Sequence, residues 1–293
     1  MSPETTNRAL GVAALLVTAL GWGFGWLAMK VVLQIWPPLF ARGSAGLIAA
    51  VLLATLALAR RERLTVPRGA RTRLAMAAFT NVFAWMGFSS LSLRWIGVGE
   101  AALLVYSMPV WATLFAWAVL GSRPTPRGFM ALALGLSGIG VLLGADPGEA
   151  LGAAKMPGIS FALAAAILFA MGAVLNSRAL PVPPFTMTAW QVGLGSLPMV
   201  VLGVALERPA VASLSGASAW AFAYVTLIPM AACFLSWFEA LRRLPPVAAS
   251  TSMLLVPLIG ILSAASLLGE PLGPREMLAM ALTLGGVVLA LKK

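Results

Sequence analysis

The 293-residue chain is 60% hydrophobic and only 10% charged, with 20 basic residues against 9 acidic ones. A soluble core cannot take in that much apolar surface under so little charge, so the composition is that of a membrane protein. A single cysteine, Cys233, and no histidine exclude an intrachain disulfide, a zinc site, a haem ligand pair and a Ser-His or Cys-His dyad. No catalytic residue, metal or cofactor is expected, and the chain is not read as an enzyme.

Ten hydrophobic stretches predict transmembrane helices at 9–29, 39–59, 74–93, 99–120, 127–144, 157–177, 185–206, 218–239, 246–268 and 273–291. Each approaches the ~20 residues that cross a hydrocarbon core of ~30 Å. Runs rich in Leu, Ala and Gly read as helices, because a barrel would show short alternating strands. The first stretch is read as retained, since it lacks an A-x-A cleavage site and nine equally apolar stretches follow. The expected fold is an all-α membrane protein with short connections, whose function lies among the helices.

In chain order, the first span places Trp22 between Gly21 and Gly23. The third carries Asn81, Trp85 and Ser89 four apart, on one helical face. The fourth carries Tyr106 and Ser107 just before Pro109, and the seventh Trp190 and Gln191. The eighth has Tyr224, Trp237 and a packing Cys233; the ninth has Ser250, Thr251, Ser252 and Pro257. From these, Trp22, Asn81, Trp85, Ser89, Tyr106, Trp190, Gln191, Trp237 and Ser252 are the candidate substrate-binding residues. Alternatives stand beside each role: Trp85 fits helix packing, Asn81 a structural interhelical hydrogen bond, and Ser252 a bond to its own helix carbonyls. Trp36, Trp95 and Trp220 sit at span ends, as interface anchors do. Pro109 and Pro257 fall in the middles of the fourth and ninth spans, where a freed carbonyl and a kink suggest a hinge, or a kink that only aids packing. The fifth and tenth spans, with Gly135, Gly138, Gly140, Gly285 and Gly286, are expected to pack closely outside any cavity.

A gapless shift of 148 residues superposes Leu93-Arg94 on Leu241-Arg242, Pro109 on Pro257, Leu120-Gly121 on Leu268-Gly269 and Gly138 on Gly286. The chain therefore divides into repeats at 1–148 and 149–293. Five spans per repeat, an odd number, would insert the second upside down relative to the first. Alternate connections hold fourteen basic residues, including Arg60, Arg61, Arg63, Arg68, Arg71 and Arg73, against six on the other side. The positive-inside rule then puts both termini in the cytoplasm, and it accounts for the net charge of +11 without a nucleic-acid partner.

Lys30, Arg42, Arg94, Glu100, Arg178, Glu239 and Arg243 all fall at or beyond span ends, so no ionisable residue is expected at bilayer depth. That argues against a proton relay, a cation exporter with a buried carboxylate and a carrier of phosphorylated metabolites. It leaves a path for neutral or zwitterionic solutes.

Trp22-Gly23 followed by Lys30, the Ala101–Pro109 run ending in Met108-Pro109-Val110, and Leu268-Gly269-Glu270-Pro271 together resemble the ten-span EamA-like branch of the drug/metabolite transporter superfamily. The likeness covers essentially the whole chain, with one departure: Ser122 stands where the second repeat has Glu270. Within the superfamily the aromatic interior looks most like bacterial amino-acid exporters of the YddG type. The resemblance implies a multi-pass bacterial inner-membrane exporter of amino acids, aromatic ones among them, working by alternating access through a central cavity. The implied partners are a small-molecule substrate and the lipid bilayer; substrate identity, direction, energy coupling and oligomeric state stay open. A channel-like facilitator and an exporter of other amphipathic metabolites or drugs are the alternatives.

Overall fold

A computed structural model describes residues 3–121, 125–143, 154–175, 180–209, 214, 216–243, 255–270 and 272–291 of the chain, and among them every regular element is helical. The helices are α1 (Pro3–Val32), α2 (Pro38–Ala59), α3 (Arg68–Ala78), α4 (Val98–Val105), α5 (Met108–Leu120), α6 (Pro126–Leu143), α7 (Met156–Leu175), α8 (Pro184–Leu202), α9 (Gly216–Leu227), α10 (Cys233–Arg243), α11 (Leu255–Leu268) and α12 (Pro274–Leu291). Three π-helical stretches extend them: Phe79–Phe88 carries α3 on to the turn Ser89–Ser92, Gly203–Glu207 ends α8, and Ile228–Ala232 joins α9 to α10.

Among the described residues seven helical runs are long and apolar enough to cross a membrane: Ala9–Val32, Pro38–Ala59, Arg68–Ser92, Val98–Val119, Met156–Leu175, Pro184–Glu207 and Gly216–Trp237. The other three expected spans correspond to α6 and α12, of 18 residues each, and to α11, of 14. Large apolar side chains such as Val51 and Leu56 on α2 and Leu197 and Val201 on α8 point out of the bundle, as a lipid-facing surface requires.

The two most extensive helix pairings join α2 to α8 and α6 to α12. Both are antiparallel. Glu207, at the end of the α8 run, accepts hydrogen bonds from the backbone N–H groups of Leu39 (3.1 Å) and Phe40 (2.9 Å) at the start of α2. Glu62, just beyond α2, accepts from the N–H (2.9 Å) and hydroxyl (3.1 Å) of Thr186 at the start of α8. Each helix thus has its unbonded N-terminal donors met by a carboxylate from the far end of its partner. Small residues allow the close approach: a Cβ on Gly203 would lie 2.6 Å from the Phe40 nitrogen. In the second pair Arg275 Nε donates to the Val141 carbonyl at 2.9 Å, and a Cβ on Gly286 would lie 2.7 Å from the Ala131 oxygen.

Pro109 does not kink the middle of a helix. The chain breaks earlier, at Tyr106 and Ser107, and Pro109 sits in the first turn of α5, where a missing N–H leaves no helical bond unmade. Pro257 is buried in the first turn of the described part of α11, and the residues before it lie outside the described ones.

Candidate functional site

The centre of the bundle is an aromatic cluster assembled from separate helices. Trp22 of α1 meets Trp85 edge-on, with ring centroids 5.2 Å apart, Phe234 of α10 at 5.7 Å and Trp237 at 6.3 Å. Trp85 continues the cluster to Phe169 of α7, at 5.0 Å. Aromatic pairs prefer such edge-on and tilted geometry because the ring face is negative and the edge positive. The indole N–H of Trp22 donates to the Pro229 carbonyl at 3.1 Å, within the π-helical stretch Ile228–Ala232.

A small, half-open cavity of about 30 Å³ lies beside these rings, lined by Trp22, Trp26, Arg42, Trp85, Met86, Ser89, Tyr106 and Pro229 among others. That is room for about one water, against the roughly 300–1,000 Å³ of pockets that hold small molecules. Near the α2 start a wide basin of about 520 Å³ opens, lined in part by Lys30, Gln34, Trp36, Pro38, Arg94 and Glu207. Arg42 stands one helical turn from Pro38, so the basin and the small cavity are neighbours along α2.

The expectation of an interior free of charge is overturned by Arg42, which is only 6% exposed and lines the cavity. Its position near the start of α2 suggested the rim. A helix end is the rim only where nothing covers it, and here Leu39 and Ala41 are themselves buried and Glu207 closes over the first turn. Lys30 and Arg94 do lie at the basin, with Lys30 Nζ donating to the Leu93 carbonyl at 3.1 Å.

Of the residues singled out in the sequence, Trp22, Trp85, Ser89 and Tyr106 meet at the cavity, and Trp237 packs on Trp22. Asn81 and Gln191 meet each other: the Asn81 amide donates to Gln191 Oε1 at 3.4 Å. Trp190 lies apart, 41% exposed, with its indole N–H on the Leu64 carbonyl at 2.8 Å. Ser252 falls outside the described residues. Trp220 is exposed, whereas Trp36 packs between Phe40 and Phe222 and Trp95 stacks on Phe161. Sequence reasoning missed Trp26, Arg42, Met86 and Pro229; for Trp26 the signal was its spacing of four from Trp22, which places both on one face of α1.

The profile of the EamA-like transporter family matches residues 9–144 and again residues 156–292. The chain belongs to the EamA-like transporter family. It is a multi-pass membrane transporter, and two copies of the family unit fill it. It is 30% identical over 292 residues to a protein named "Probable terminal-alkyne amino-acid exporter" of Streptantibioticus cattleyicolor, covering 95% of this chain and 92% of that one. It is 24% identical over 293 residues to a "Probable amino-acid metabolite efflux pump" of Salmonella typhimurium, covering 97% and 95%. A solved crystal structure shares the fold with a TM-score of 0.68 at 21% identity, over 98% of this chain and 96% of that one.

Proposed function

We propose that this EamA-like transporter exports neutral or zwitterionic small metabolites, amino acids with aromatic side chains foremost, across a bacterial inner membrane. Ten crossing helices form two inverted five-helix repeats that rock about the aromatic cluster and expose the cavity to one side and then the other. The observation that carries this reading is the small cavity lined by Trp22, Trp85 and Tyr106, with Trp237 of the second repeat packed on Trp22. A space of about 30 Å³ has to widen to admit a cargo, as alternating access in a carrier would have it.

The antiparallel pairing of α2 with α8 and of α6 with α12 supports the inverted repeat, because each pair joins helices equivalent under the 148-residue shift. Reciprocal capping by Glu62 and Glu207 has the same two-fold character. The relatives named for amino-acid and amino-acid metabolite export support this choice of substrate class. With Arg60, Arg61, Arg63 and Arg68 on the cytoplasmic side, the basin at Trp36 and Arg94 opens outward and both termini lie in the cytoplasm.

Reconstitution in proteoliposomes tests the assignment. Uptake of labelled phenylalanine, leucine or threonine that saturates and is competed by unlabelled amino acid is expected. Flux indistinguishable from empty liposomes for every amino acid would refute it.

A further inference from the structure

The Arg42 guanidinium is buried in a transporter interior, and among the described residues only one of its donors is used. Its Nε donates to the Ser90 hydroxyl oxygen at 2.9 Å, while that hydroxyl donates onward to the Met86 carbonyl at 2.7 Å. Among the described residues this is the only hydrogen bond of the guanidinium, and no carboxylate pairs with it. The Ser90 bond fixes the plane of the fork and leaves four N–H donors on the two terminal nitrogens for the cavity that Arg42 lines. Removing a cation from water without a partner is costly, so a site that keeps one this way is arranged for an anion that arrives.

Two features of the cavity narrow the anion. The rings of Trp22, Trp26, Trp85 and Tyr106 line the same space, so an apolar, flat group beside the charge is favoured. A single guanidinium balances one negative charge, and its parallel donors match the two oxygens of a carboxylate. Among the described residues lining the cavity there is no Asp or Glu, so a cargo ammonium meets no counter-charge from them.

We infer that Arg42 is the residue that reads the cargo's carboxylate, and that the site selects aromatic monocarboxylates whether or not they carry an α-ammonium group. This rests on the transporter reading above and sharpens it: 2-oxo acids and aryl carboxylates are cargo beside amino acids, and amines and amides are not.

Binding of labelled phenylalanine to purified full-length protein in detergent, competed by phenylpyruvate and by phenylalaninamide, tests this. The wild-type protein should bind phenylpyruvate as well as phenylalanine, and phenylalaninamide about ten-fold or more weakly. Arg42→Gln should erase that preference, and Arg42→Lys, which keeps the charge but not the fork, should retain part of it. A merely structural role for Arg42 would weaken all three ligands together and leave their ratio unchanged, which overturns the proposal. Should Arg42→Gln fail to fold, the wild-type competition decides alone: phenylalaninamide binding as tightly as phenylalanine overturns it, and so does an absence of binding by all three ligands.

The amino-acid flux assay separates the two readings. Amino-acid flux without any carboxylate preference leaves the exporter standing and Arg42 without this role. Phenylpyruvate binding through Arg42 without amino-acid flux does the reverse.

Discussion

Trp22 Nε1 lies 3.1 Å from the carbonyl oxygen of Pro229, a hydrogen bond that ties α1, the first helix, to the π-helical turn between α9 and α10. The donor comes from the first copy of the family unit and the acceptor from the second. Trp22 therefore both roofs the cavity and holds the two copies together.

Trp22→Phe keeps most of the ring packing and deletes that donor to the buried Pro229 oxygen. Unfolding in detergent should show a loss of about 1–2 kcal/mol. No change in stability would mean that the carbonyl finds another partner without cost.

Glu207→Ala and Glu62→Ala each remove a carboxylate from the first turn of the opposite helix. Each should cost about 1–2 kcal/mol, read as a lower melting temperature in detergent. The two sites lie at opposite ends of one helix pair, so the double variant should show the sum of the single losses to within about 0.5 kcal/mol.

Gly203→Val places a branched side chain where even a Cβ would stand 2.6 Å from the Phe40 nitrogen. The α2–α8 contact cannot open locally, because the backbones themselves touch, and the variant should fail to yield a monodisperse protein on gel filtration. A normal elution profile with wild-type melting would contradict that contact.

Trp85→Ala and Tyr106→Phe alter side chains that line the cavity, and both should lower transport; Trp85→Ala should also lose about 3–5 kcal/mol of stability. Trp190→Phe is the control: it removes an exposed bond to the Leu64 carbonyl, so flux should stay at the wild-type level and stability should fall by about 0.5 kcal/mol or less. Equal flux losses in Trp190→Phe and Trp85→Ala would move the site away from the aromatic cluster.

Much of the architecture was legible because the bilayer writes it into composition. Helical runs, the close-packing character of the glycine-rich fifth and tenth spans and the depth of Trp85 follow from apolar length and small-residue patterning; that those two spans pack on each other comes from the structure. Four aromatic and hydroxyl residues of the cavity could be read the same way, being polar or aromatic groups at mid-span. Arg42 could not. Its distance from the end of its own helix gives depth only if that end is bare, and Glu207, 165 positions along the chain from Arg42, is what covers it. Trp190 shows the converse: adjacency to Gln191 in sequence puts the two side chains about 100° apart around a helix, so one faces Asn81 and the other leaves the bundle. Pro109 suggested a kink at mid-span, whereas it lies in the first turn of a helix, since the turn that precedes it is set by Tyr106 and Ser107.

Counterflow measures the central claim, a carrier that opens and closes around Trp22 and Trp85. Proteoliposomes loaded with unlabelled phenylalanine should take up external labelled phenylalanine faster than empty ones, with a transient overshoot, and Trp85→Ala should abolish the stimulation. Labelled phenylalanine entering at one rate whatever the internal load, in wild-type and Trp85→Ala protein alike, would contradict the account.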